Sequence, residues 1–348
     1  MQDGHGREID YLRISITDKC NLRCKYCMPK DMESVPMSEI LTFEETASIV
    51  NVAASLGINR IKITGGEPLV RRDCCELIRM LKSIPGIKEV TITTNGVLLD
   101  RYIDRLMEAG TDGINISIDT LDKERYSLLT GSDELNKVLD GLRAAIGLGV
   151  PVKINAVSVD WGRYFADPDD ENAFYGTEKS SNTDMYADAF DLIGLARDNK
   201  VDVRFIEMMP IGMGKGFPAI PHDILIPVIK DRYKNMTRDE NSHGNGPAVY
   251  YRIPGFEGSI GFISAVHGIF CDSCNRLRLT SKGYLKSCLS YDTGVDLKAV
   301  LRSGRTDKEK KAALKSGLKE AILCKPKKHS FMSSEKISEK HTMSAIGG

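Results

Sequence analysis

Six short apolar segments recur along the first two-thirds of this chain, and a helix-like stretch separates each from the next. They span residues 12–17, 60–64, 89–94, 113–118, 152–159 and 201–207. Most are β-branched and nearly continuously apolar, the pattern expected of parallel strands covered on both faces. Between the first two, Phe43, Ala47, Val50 and Ala54 recur at helical spacing, and Thr42 with Glu45 forms a capping box ahead of them.

Repeated β-α units joined by right-handed crossovers build a parallel sheet that curls toward a barrel. The fold class expected is therefore α/β, a partial (β/α)6 TIM-type barrel over residues 1–215. From about residue 250 the pattern changes to short strands at 258–264, 276–280 and 284–289, followed by two helical segments. This C-terminal region, 216–348, is expected to close the open side of the barrel with antiparallel strands and helices. The stretch 158–184 carries seven acidic and two basic residues and reads as a solvated loop or lid.

Composition narrows the function classes. Hydrophobic residues make up 41% and charged residues 28%, as in soluble globular proteins, and 48 basic residues balance 48 acidic ones. No global field draws the chain to nucleic acid or to an anionic membrane, so recognition of phosphate must come from local clusters. With Asp3, Arg7, Glu8 and Asp10 in the first ten residues no secretory leader is expected, and no stretch approaches the roughly 20 apolar residues of a membrane span. A cytoplasmic protein is expected. Closely spaced thiols in such a chain read as metal ligands and not as disulfides.

Cys20, Cys24 and Cys27 follow directly after the first strand in a C-x3-C-x2-C loop. Three thiolates can hold three irons of a [4Fe–4S] cluster and leave one iron open to a small molecule. A zinc loop is the rival, although zinc modules favour paired C-x2-C units that complete four ligands. The second strand ends in Thr64-Gly65-Gly66-Glu67-Pro68, where glycines permit close backbone approach to a ligand and Glu67 offers a carboxylate for an ammonium.

A second set, Cys271, Cys274 and Cys288, lies in the C-terminal region. A second open-iron cluster and a structural zinc site are both open to it, with His267 as a conceivable fourth zinc ligand. Arg276 and Arg278 flank Leu277 on one strand face, either as fixed cations beside a cluster or as solvated side chains. Gly212-Met-Gly-Lys-Gly lacks the phosphate-binding P-loop frame. Cys74, Cys75 and Cys324 match no cluster motif and read as ordinary thiols.

The cysteine loop and the Gly-Gly-Glu turn resemble those of radical S-adenosylmethionine (SAM) enzymes. Nearly end to end, from Gly6-Arg7 and Tyr11-Leu-Arg-Ile-Ser through Cys27-Met-Pro to Gly347-Gly348, the chain resembles the GTP 3′,8-cyclase family of molybdenum cofactor biosynthesis. The resemblance implies two [4Fe–4S] clusters, the first binding SAM and the second GTP. A 5′-deoxyadenosyl radical would take hydrogen from C3′ of GTP, and the carbon radical would attack guanine C8. The product implied is 3′,8-cyclo-7,8-dihydro-GTP, passed to a separate cyclic pyranopterin monophosphate synthase.

Residue by residue, the resemblance implies GTP contacts at Arg13, Thr93, Lys153, Arg276, Leu277 and Arg278, with Arg204 as a further triphosphate ligand. It implies SAM contacts at Tyr26, Gly65, Gly66, Glu67, Ser117 and Met209. Arg13, Arg276, Arg278 and the terminal Gly347 and Gly348 would serve catalysis. Where the family has an arginine before the turn this chain has Lys62, and Arg60 could share its role. A reductant such as flavodoxin or ferredoxin is implied, with no nucleic-acid or membrane partner and with a homodimer left open. Two rivals stand beside this: a two-cluster radical SAM enzyme that modifies a peptide, and a zinc-stabilised protein without catalysis.

Overall fold

The computed structural model describes residues 1–29, 35–166, 185–268, 270–332, 337–339 and 341–347. Twelve strands form one sheet: β1 (Tyr11–Ser15), β2 (Arg60–Thr64), β3 (Glu89–Thr94), β4 (Gly113–Ser117), β5 (Val152–Ser158), β6 (Asp202–Glu207), β7 (Thr237–Asp239), β8 (Val249–Arg252), β9 (Ser259–Ile263), β10 (Arg276–Leu279), β11 (Tyr284–Lys286) and β12 (Gly294–Asp296). Helices α1 (Phe43–Ala54), α2 (Cys74–Lys82), α3 (Leu99–Glu108), α4 (Lys123–Thr130), α5 (Leu135–Gly147), α6 (Trp161–Ala166), α7 (Ala187–Asp198), α8 (His222–Arg232), α9 (Leu297–Leu301) and α10 (Asp307–Leu323) complete the described elements.

The spatial order is β12-β11-β10-β1-β2-β3-β4-β5-β6-β9-β8-β7. The six expected strands are parallel neighbours, and the sheet is an open, partial barrel. The C-terminal strands do not close it as expected. They lengthen both edges: β10 joins β1 and β9 joins β6, each parallel, and only then do antiparallel strands follow. Eight strands thus run one way, and the edges end in short hairpins that limit further pairing.

The strands also differ from the continuous apolar runs expected. They alternate. Leu12, Ile14, Ile61, Ile63, Ile92, Ile114, Ile154, Val203 and Leu277 are at most 1% exposed and belong to the main apolar cluster with the helices. Each contributes roughly 1.5–3 kcal/mol by leaving water. The intervening positions carry Tyr11, Arg13, Lys62, Thr91, Thr93, Asn115, Lys153, Asn155 and Arg204, which turn to the other face and line a polar lumen.

Helix α1 begins with the expected capping box, Thr42 and Glu45 each bonding the other's backbone. Its buried residues are Thr46, Ile49, Val50, Val52 and Ala53, and the rest of the expected stripe, Phe43, Ala47 and Ala54, packs half-buried against the same core, with Phe43 4.2 Å beneath the Arg71 guanidinium. The acidic stretch is not wholly a solvated loop. Its first residues finish β5 and form α6, where Trp161 is 2% exposed among Leu129, Val159 and Met208. Residues 167–184 lie outside those described.

Candidate active site

The first cysteine loop leaves β1 at its C-terminal end and is clamped by the turn after β2. Gly66 N–H donates to the Thr17 carbonyl at 2.7 Å, and Glu67 N–H to the Lys19 carbonyl at 2.8 Å. A Cβ on Gly66 would sit 2.4 Å from the Lys19 carbonyl oxygen, and one on Gly65 2.8 Å from that of Thr17. The glycines are therefore required by the approach of the cysteine loop itself, where a ligand was expected. Glu67 is fixed by the protein around it. It is 1% exposed; one carboxylate oxygen accepts from Thr94 Oγ1 and Leu69 N–H, and the other from Asn95 N–H. Burial pushes its pKa up to about 7. The carboxylate braces the ends of β2 and β3 against each other.

Cys20, Cys24 and Cys27 are free thiols. Leu22 N–H and Asn95 Nδ2 point at the Cys20 sulfur from 3.4 and 3.7 Å. Burial raises all three thiol pKa values, that of Cys27 to about 12; neighbouring sulfurs and Asp119 add to the rise at Cys24 and Cys27, and Glu67 adds to it at Cys20. Three partly buried sulfurs with N–H donors aimed at one of them fit an iron–sulfur group, whose positive charge would hold them as thiolates. Tyr26 in this loop donates to Asp119 Oδ2 at 2.8 Å, while Val157 N–H donates to Asp119 Oδ1. Asn95 and Asp119 escaped the sequence reading because each lies just past a strand end and meets the loop only in three dimensions.

The lumen holds a cavity of about 430 Å³ lined by Arg13, Lys62, Lys153, Arg204 and Arg276 together with Thr93 and Asn115. Register accounts for the gathering: Arg13 pairs with Lys62 and with Arg278, and Tyr11 pairs with Arg276. Burial and the surrounding cations lower the pKa of Lys62 well below its usual range, and bring Arg13 to about 10 and Arg278 to about 9. Lys153 meets Asp202 at 3.6 Å, and Arg204 Nη2 donates to Asn115 and Asn155. Arg204 Nε is buried without a partner. Glu89, Asp112 and Asp202 also line the cavity, and the five basic side chains outnumber them, a balance that suits a polyanion. Two expected substrate contacts lie elsewhere: Leu277 is buried in the apolar core, and Arg60 is paired with Asp10 and Glu89.

The loop from His243 to Pro247 also lines this cavity, which the sequence did not suggest. His243 is held between Asp202 at 3.1 Å and Asp239 at 2.9 Å and stacks on Tyr250.

Cys271 and Cys274 precede β10, and Cys288 follows β11, which runs antiparallel to it. All three therefore stand at the N-terminal end of the parallel strands, whereas Cys20, Cys24 and Cys27 stand at the C-terminal end. A five-residue strand such as β1 separates the two ends by roughly 15 Å. Burial raises the Cys271 thiol pKa; it would do the same for Cys274, but Lys325 and Arg276 draw that one down to about 7. His329 N–H points at the Cys271 sulfur from 3.4 Å.

A tetrahedral zinc site needs sulfurs about 3.8 Å apart, given zinc–sulfur bonds near 2.3 Å. Among the described residues, the set of three metal-donor side chains within 4.8 Å of one another is Asp292, Glu339 and His341, and it includes no cysteine. His267 is bound to Glu207, its ring nitrogen 3.1 Å from the carboxylate. Cys271, Cys274 and Cys288 do not form so tight a set among the described residues.

The C-terminal tail reaches the lumen. Ile346 packs with Ile211, Leu289 and Phe331, with Met209 against the same cluster. The Ser344 backbone bonds the Cys27 sulfur. Gly347 has φ 75°, and a Cβ there would lie 3.1 Å from both Ser15 Cβ and Thr64 Oγ1. Its carbonyl accepts from Arg278 Nη1. Ser117 ends β4, and Gly348 lies outside the described residues.

Residues 14–160 match the model of the Radical SAM superfamily, and residues 201–331 match Molybdenum Cofactor Synthesis C. Two structures of Streptococcus suis SuiB share the fold. The one bound to precursor peptide SuiA has a TM-score of 0.60 at 14% identity and covers 94% of this chain and 67% of that one. The one bound to S-adenosylmethionine has a TM-score of 0.55 at 15% identity, covering 98% and 75%. The class is therefore that of radical SAM enzymes, which use SAM and an iron–sulfur cluster.

Whole-chain relatives narrow it. The chain is 41% identical over 349 residues to a GTP 3′,8-cyclase of Clostridium perfringens (strain 13) and 42% identical over 350 to one of Alkaliphilus oremlandii, covering all of each. A third, from Moorella thermoacetica, is 40% identical over 357 residues, again at full coverage. This chain belongs to the GTP 3′,8-cyclase family. Among the described residues, no helix is long and apolar enough to cross a membrane.

Proposed function

We infer that this chain is a radical SAM GTP 3′,8-cyclase of molybdenum cofactor biosynthesis. The observation that carries the reading is the cation-lined lumen lying between two cysteine triads at opposite ends of one barrel. A nucleoside triphosphate offers a polyanion to match the net positive charge of the lumen, and its length suits the roughly 15 Å between the ends.

Residues 1–215 are read as the SAM part and 216–348 as the substrate-cluster part, although strands of both share one sheet. Cys20, Cys24 and Cys27 would hold one [4Fe–4S] cluster, with Tyr26, Gly65, Gly66, Ser117 and Met209 around SAM. Cys271, Cys274 and Cys288 would hold the second, beside the guanine end of GTP. When reduced and bound to SAM, the first cluster supplies a 5′-deoxyadenosyl radical.

The protein's own work is positional. Arg13, Lys62, Lys153, Arg204 and Arg276 fix the triphosphate as an anchor that is not hydrolysed. Thr93, Arg278 and the tail set C3′ within the near-attack spacing of about 3–3.5 Å that hydrogen transfer demands. Loss of that hydrogen lets C3′ bond to C8, and one electron and one proton complete 3′,8-cyclo-7,8-dihydro-GTP. A flavodoxin or ferredoxin would provide electrons, and a separate cyclic pyranopterin monophosphate synthase would take the product.

The test is anaerobic reconstitution with iron and sulfide, followed by SAM, GTP and reductant. A nucleotide isomeric with GTP but separable from it, formed with one 5′-deoxyadenosine each, is expected. SAM cleavage with unaltered GTP would refute the assignment.

A further inference from the structure

One cross-strand pair holds the C-terminal tail at two points. In the antiparallel ladder of β10 and β11, Arg278 stands opposite Lys286. Arg278 Nη1 donates to the Gly347 carbonyl at 2.9 Å. Lys286 Nζ donates to Glu339 Oε2, earlier in the same tail. Lys286 and Glu339 are each 1% exposed, so both charges have left water and depend on one another.

The surroundings leave this pairing dominant. Asp292 Oδ1 lies 3.5 Å from Lys286 Nζ, and the Tyr284 ring centroid lies 5.8 Å away. His341 Nδ1 is 2.8 Å from the other Glu339 oxygen. Asp292, Glu339 and His341 have the spacing of a metal site, but the Lys286 ammonium already supplies the cation there.

We propose that the Lys286–Glu339 pair is a positioning latch for the cyclisation, seating the tail so that the Gly347 carbonyl aims the Arg278 guanidinium. A carbonyl suits this task because it orients the guanidinium without cancelling its charge, which a carboxylate would do. The pair also favours docking, since a tail that lifts away takes the Glu339 carboxylate from the Lys286 ammonium and leaves it only Asp292, at 3.5 Å. The latch itself stands on geometry alone, whereas its catalytic consequence rests on the cyclase reading above.

The test uses reconstituted holoenzyme carrying Glu339→Gln or Lys286→Met. Amide exchange across 337–347 should rise at least about tenfold in both, with iron content and α10 protection kept. Cyclised nucleotide per 5′-deoxyadenosine should fall about tenfold, while half-saturation by GTP moves by less than about threefold. The reversed pair, Lys286→Glu with Glu339→Lys, should recover part of both losses. Glu339→Gln lies on the tail and carries the test if Lys286→Met does not fold. Unchanged exchange in the folded variants overturns the latch. Raised exchange with an unchanged product ratio overturns its positioning role. Absence of cyclised nucleotide from the unaltered enzyme would refute the cyclase reading, and the exchange data would still decide the latch.

Discussion

Arg278 and Gly347 stand 69 residues apart in the chain and are joined by a single hydrogen bond, from the guanidinium Nη1 to the glycine carbonyl. That bond brings the end of the polypeptide to the face of the sheet where Arg278 pairs with Arg13, and Arg13 lines the cavity. The Ser344 backbone touches Cys27 at the other end of the barrel, so the tail spans from one cysteine triad toward the other.

Arg278→Ala should retain iron and still cleave SAM, but with little cyclised nucleotide per 5′-deoxyadenosine. Loss of a charge-assisted bond in a desolvated site should weaken GTP binding about ten- to a hundredfold. Arg278→Lys should keep much of the affinity and lose coupling, because an ammonium has no planar fork. Unchanged affinity and coupling in Arg278→Ala would remove the residue from the site.

Lys62 makes nucleotide binding depend on pH. Burial first, then Arg204, Arg13 and Lys153, depress its pKa in the bare lumen. A triphosphate reverses the repulsion and restores the ammonium. On the alkaline side, binding should therefore take up a proton, and affinity should fall as pH rises. Calorimetry in two buffers of unlike ionisation heat checks this. Wild-type heats that do not depend on the buffer, or that match those of Lys62→Met, would contradict it.

Trp161→Ala should lower unfolding free energy by about 3–5 kcal/mol, as expected for removing a fully buried large aromatic. Its ring lies 6.2 Å from that of Tyr26 in the cysteine loop, so the variant should also retain iron poorly. Urea unfolding with an iron assay measures both. A loss under about 1 kcal/mol would show that the site collapses around the gap.

Much of this was legible in sequence. The bounds of β2 and β3, the capping box of α1 and both cysteine triads follow from local patterns that tertiary structure leaves intact. The polar lumen was missed although its signal is present: Arg-Ile-Lys-Ile-Thr and Gly-Ile-Asn-Ile-Ser alternate strictly, yet their β-branched residues dominate a reading by composition. The contacts that Gly66 and Glu67 make within the protein, with Lys19 and Asn95, are not legible in sequence because those partners lie far off along the chain. The burial of Trp161 was hidden by the acidic residues that follow it.

Replacing Cys20, Cys24 and Cys27 by alanine should remove about half the iron and all SAM cleavage, and should leave GTP binding largely intact. Replacing Cys271, Cys274 and Cys288 should also halve the iron but spare SAM cleavage. Chelation of iron should abolish both spectra together. About four irons in the fully loaded, unaltered protein would contradict the two-cluster account, since each [4Fe–4S] centre contributes four.

The central claim is that the lumen presents C3′ of GTP to the radical, and transfer of a label tests it most directly. GTP carrying deuterium at C3′ should place one deuterium in each 5′-deoxyadenosine formed with the cyclised nucleotide under anaerobic turnover. GTP labelled at the other ribose carbons should place none. 5′-Deoxyadenosine that stays unlabelled with the C3′ substrate, or that takes its label from another position, would contradict the account.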